Sequence, residues 1–118
     1  MRRLAVLPPS RGPSQRVIIH STPCGTFVFG RAAPDDGPCD ADHWFEHATQ
    51  AEEFCGQTYG VRPEDWREIP EPPDGCQQDW VSPVRRTTQA GAPSQVVFER
   101  READGVWRPV PPISRGAG

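Results

Sequence analysis

Proline and glycine break this chain into short runs. With 15 prolines and 11 glycines among 118 residues, the two make about a fifth of the chain, where roughly 12% is usual. Proline lacks a backbone donor and fixes φ, and glycine loosens the backbone, so regular elements between them are short. Only 35% of the residues are apolar, so part of the chain must be loop or tail. A chain of this length fits one domain and can bury a core without obligatory metals or disulfides.

Residues 1–15, with Pro8, Pro9, Ser10, Gly12, Pro13 and Ser14, offer little apolar surface against the entropy of ordering them, and read as a flexible arm. "PVPPISRGAG", 109–118, reads as a flexible tail with a PxxP spacing at Pro109 and Pro112. Between them, residues 16–108 are expected to form a single α+β domain. "RVIIH" and "GTFVFGR" are β-branched and aromatic runs that read as a hairpin across "STPCG". "DWREIP" and "DWVSPVR" read as two more strands. In "SQVVFERREADGVWRPV" the pair Asp104-Gly105 marks a hairpin, and a four-residue loop would face Glu99 with Arg108. The sum is a mostly antiparallel sheet of about five or six short strands with one helix packed on one face.

That helix lies within "DHWFEHATQAEEFCGQTYG", residues 42–60. One reading runs a helix from Ala41 to Tyr59, with His43 and His47 one turn apart as metal ligands. The HExxH pattern fails there, because Trp44 stands where Glu would follow the first His. The favoured reading makes "DHWFE" a strand and starts the helix near Ala48, with His47 or Thr49 as cap and Thr49 and Glu52 as a capping box. Gly60 and then Pro63 mark its end. Along a strand, His43 and His47 stand roughly 13 Å apart, too far for one zinc to hold both.

No cofactor is expected. Cys24, Cys39, Cys55 and Cys76 contain no CxxC knuckle, which structural zinc sites favour. An alternative reading gathers His43, His47, Cys39 and Cys55 around zinc or a reactive thiol, and Cys24 and Cys39 are the disulfide candidates. No nucleophile elbow and no GxGxxG or GxxxxGK[ST] loop occurs, so the chain reads as a non-enzyme.

Charge is segregated: 13 of the 16 acidic residues lie between Asp35 and Asp79, opposed there only by Arg62 and Arg67. This argues against nucleic acid as partner, since phosphate binding draws on clustered basic residues. The N-terminus lacks the apolar run of a secretory signal, and no window is long and apolar enough for a membrane span. A cytoplasmic setting with free thiols is expected. Arginine without lysine, beside abundant Ala, Gly and Pro, fits a GC-rich bacterial genome. Trp44, Trp66, Trp80 and Trp107 fall in expected strands, as core or as surface anchors beside carboxylates.

The expectation is therefore a small acidic protein-binding module, using Glu46, Glu52, Glu53, Glu64, Asp65 and Glu68, with Trp66 as anchor, against a basic protein. In physical character it resembles immunity proteins that block basic toxins. A small-ligand pocket lined by tryptophans is a further alternative.

Overall fold

The computed structural model describes residues 1–10, 13–89 and 92–110. These described residues form an α+β fold of eight strands in two antiparallel sheets, with one α-helix. The described residues group into two compact units: those of 1–71 with 78–81, and those of 72–77 with 82–110.

The first unit holds β1 (Arg2–Val6), β2 (Arg16–Thr22), β3 (Gly25–Arg31), β4 (Ala41–Phe45), helix α1 (Ala48–Tyr59), a 3-10 turn (Pro63–Asp65) and β5 (Arg67–Ile69). The sheet order is β4-β3-β2-β1-β5. Thus the opening residues, expected to be an arm, supply a strand paired on both sides, Leu4 meeting Ile18 on β2 and Arg67 on β5. The arm reading fails at Arg2–Val6 because local composition undervalues a strand whose neighbours on both sides supply its apolar surroundings. β2 and β3 form the expected hairpin, with Thr22 opposite Gly25.

Period-two alternation sorts this sheet into two faces. Ala5, Val17, Ile19 and Val28 join Ala51, Cys55 and Tyr59 in one core beneath α1. Leu4, Ile18 and Ile69 form a second cluster on the opposite face, with Phe29 and Val81 packed against it. Consecutive burial of Val17, Ile18 and Ile19 explains why "RVIIH" carries no polar alternation.

α1 spans the expected residues. Its cap is His47, whose N–H donates to Gln50 Oε1 at 3.1 Å. The Thr49–Glu52 box does not form, because the cap at His47 leaves Thr49 inside the first turn, and Glu52 pairs with Arg3 instead. Gly60 ends the helix in the left-handed region, φ 70°, and Val61 N–H returns to the Cys55 carbonyl at 3.3 Å.

The second unit holds β6 (Val84–Gln89), β7 (Ala92–Arg101) and β8 (Trp107–Pro109), in the order β6-β7-β8. "DWVSPVR" places this strand a few residues too early: Trp80 precedes it, and it begins after Pro83. The β7–β8 register sets Arg101 opposite Trp107 and Arg100 opposite Arg108, so the loop has five residues and Glu99 does not face Arg108. Charge explains the difference. Arg108 finds Asp104 within the loop at 2.9 Å, while Glu99 pairs with Arg85 across β6 at 3.0 Å. Trp107 lies under the Arg85 guanidinium, 4.0 Å from the ring centroid. The expected tail lies outside the described residues beyond Val110, and Pro109 belongs to β8.

Candidate partner-binding surface

The carboxylates of the acidic middle divide into two groups. One group is engaged within the first unit. Asp35 pairs with Arg31 at 2.8 Å, and this hydrogen bond holds its carboxyl below the usual value. Asp36 accepts the Val81 N–H at 2.9 Å, Asp40 the Ala32 N–H at 2.6 Å and Asp79 the Cys39 N–H at 2.8 Å. Glu71 bonds His20 Nε2 at 2.7 Å and also meets the Met1 amine. Hydrogen bonding from that amine, aided by His20, lowers the Glu71 carboxyl below its ordinary range. These groups close loops and tie segments to the sheet.

The second group lies around Arg3. Alternation on β1 turns Arg3 to the helix side, where it meets the Glu52 carboxylate and lies 5.4 Å from the centre of the Trp66 ring. Glu68 stands directly opposite Arg3 in the β1–β5 register. Trp66 itself leaves the 3-10 turn with φ −77°, ψ 136°, half-buried against the core. Asp65 fixes that turn by accepting the Arg62 N–H at 2.7 Å. Glu64 is exposed on the same turn. Of the residues singled out from sequence, Glu52, Trp66 and Glu68 are thus brought together, with Glu64 and Asp65 just before Trp66. Glu53 lies on the exposed side of α1, 3.3 Å from Gln57, and Glu46 at the β4–α1 junction. Among the described residues, Glu46, Glu64 and Glu68 make no ion pair.

Arg3, the residue that organises this surface, was missed. The available signal was the alternation of "RRLAV", which sets Arg3 with Ala5 on one face and Arg2 with Leu4 on the other.

The alternative metal set is not gathered. The His43 ring packs on Phe54, centroids 4.5 Å apart, and His47 caps α1. Cys55 is fully buried, and burial raises its thiol to about 12. Burial and the adjacent Asp79 raise Cys39 to about 12 as well. No group of three His, Cys, Asp or Glu side chains suited to a metal occurs among the described residues. All four cysteines are free. Cys24 lies in the β2–β3 turn and Cys39 just before β4, at opposite ends of β3. That separates them by roughly 17 Å, beyond the reach of a disulfide.

A buried polar cluster lies on the sheet face away from α1. Arg2, 1% exposed, donates to the carbonyls of Pro70 at 2.8 Å, Gln78 at 2.9 Å and Trp80 at 2.6 Å. His20 places Nδ1 2.8 Å from Gln78 Oε1. Together they bind Pro70, Gln78 and Trp80 to the sheet.

No helix among the described residues is long and apolar enough to cross a membrane. No protein-family model, curated protein or solved structure matches the chain.

Proposed function

We propose that this chain is a non-enzymatic, cytoplasmic binding module whose α1, 3-10 turn and β5 surface engages a basic surface of another protein, in the manner of an inhibitor or immunity-type partner. The observation that carries this reading is the pairing of Glu52 with Arg3, with Glu68 opposite Arg3 in the strand register and a half-buried Trp66 beside it. Carboxylates on the elements next to a half-buried tryptophan suit an interface with an aromatic anchor and a charged rim. Excess negative charge there accelerates encounter with a basic partner and rejects acidic competitors. Thiols raised to about 12 at Cys39 and Cys55 suit core residues better than nucleophiles.

The test is affinity capture from an extract of the producing cells, with the wild-type chain and a Glu52→Gln/Glu64→Gln/Glu68→Gln variant as baits. A basic protein retained by the wild type, lost between about 50 and 500 mM salt as screening shortens, and bound roughly tenfold more weakly by the variant supports the reading. A partner held equally by both baits, or equally at both salt concentrations, overturns it.

A further inference from the structure

β4 is an edge strand of the five-stranded sheet, with β3 on one side. Which of its backbone groups point outward follows from the β2–β3 hairpin. Thr22 opposite Gly25 closes a two-residue turn, and such a closing pair exchanges both hydrogen bonds. Counting by twos, Gly25, Phe27 and Phe29 turn their backbones to β2, while Thr26, Val28 and Gly30 turn theirs to β4. Their partners are Phe45, His43 and Ala41. Asp42 and Trp44 therefore direct N–H and C=O away from the sheet. Among the described residues those groups have no partner.

The side chains along this edge are distinctive. Trp44 is 54% exposed, yet its position is fixed. Its Nε1 donates to the Cys24 carbonyl at 3.2 Å, and the indole lies flat enough on Gly25 that a Cβ there would fall 2.3 Å from Nε1. Asp40, Asp42 and Glu46 are all exposed along and beside the same strand. They are three carboxylates within seven residues that contain no arginine.

From this geometry we infer that the β4 edge accepts an extended, arginine- or lysine-rich segment of the partner as a sixth strand, with Trp44 packing on one of its side chains. The inference rests on the proposed basic partner and names how part of it is held. Strand addition supplies affinity through main-chain hydrogen bonds, and flanking side chains select the sequence. Charge decides between the two obvious occupants. A second copy pairing antiparallel about His43 would set Asp40 opposite Glu46, and Glu46 opposite Asp40, and directly opposed like charges are destabilising. A basic segment reverses the sign of every such pair. Exposed charge on an edge also guards against self-association.

The probe is the peptide acetyl-Gly-Arg-Val-Arg-Thr-Arg-Gly-amide, titrated into the ¹⁵N-labelled full chain at about 50 mM salt. Amide exchange at Asp42 and Trp44 is expected to slow at least tenfold. The same peptide N-methylated on every residue from its first arginine to its last keeps its charge but offers no N–H on either edge to pair with β4, and is expected to bind at least tenfold more weakly. Asp42→Pro removes an outward donor that β3 does not use, and is expected to abolish binding with an unchanged unfolding midpoint. If that variant fails to fold, the methylated peptide still decides. Equal binding of both peptides overturns the inference, as does an absence of binding. Shifts confined to Glu52, Glu64 and Trp66 also overturn it while leaving the proposed basic-partner surface intact. A dimer in sedimentation that Asp42→Pro dissociates replaces the peptide with a second copy.

Discussion

His20 Nε2 lies 2.7 Å from Glu71 Oε2, and this contact joins β2 to the first residue beyond Pro70. The carboxylate also meets the Met1 amine, so two donors converge on an acid that is half exposed. With Arg2 reaching the carbonyls of Pro70, Gln78 and Trp80, the outer face of the first sheet is closed by polar ties as much as by apolar packing.

Acid should loosen the Glu71 tie. Its carboxyl is held below the ordinary 4.5, first by the amine and then by His20. The folded state therefore binds fewer protons than the unfolded one over that range. The stabilisation is complete above pH 4.5 and drains away as pH falls through the lowered folded value. Glu71→Gln should flatten the acid limb of a plot of melting temperature against pH. An unchanged limb would show that the contact contributes nothing, and exposure already limits its size.

Arg2→Leu should destabilise the chain by about 3 kcal/mol, since three carbonyls in a buried site lose a charged donor. Urea unfolding measures this directly. A loss under 1 kcal/mol would mean that water replaces the guanidinium without penalty.

Two glycines of α1 and its cap should respond with opposite signs. Gly60 sits at φ 70°, where a side chain costs about 1 kcal/mol, so Gly60→Ala should destabilise. Gly56 lies within the helix, exposed, and an added Cβ would meet only the Val61 carbonyl at 3.6 Å. Gly56→Ala should therefore stabilise by about 0.5 to 1 kcal/mol. Matching signs in thermal melts would contradict the assigned helix end.

Thiol labelling at pH 7.5 should proceed in a fixed order. Cys24 is exposed, whereas Cys55 is buried and its thiol is raised to about 12. Mass spectrometry after a short iodoacetamide pulse should find Cys24 modified and Cys55 modified only in denaturant. Mild oxidation should leave Cys24 and Cys39 unlinked to each other.

Elements defined by local signals were legible in the sequence: the β2–β3 hairpin from its β-branched runs, and α1 from the glycine at its end. Elements defined by distant neighbours were not. β1 reads as a proline-bounded arm until β2 and β5 flank it. The β7–β8 register turned on Asp104 reaching Arg108 inside the loop, a contact that cross-strand charge matching does not anticipate. The acidic middle was visible as composition, but Asp36, Asp40 and Asp79 spend their charge on backbone N–H groups nearby or across the first unit. Spacing alone could not separate those from Glu52 and Glu68.

The sheet order bears on how the chain folds. β1 to β4 lie side by side in the order they are synthesised, so each can zip onto its predecessor through short closures. β5 instead returns to β1 across more than sixty residues and is held by only three of its own. The strand that carries Glu68, next to Trp66, is therefore the last to join and the first to fray. A partner gripping that flank would tighten the most weakly anchored strand of the sheet, and its arrival should be legible as slowed hydrogen exchange at Arg67 to Ile69.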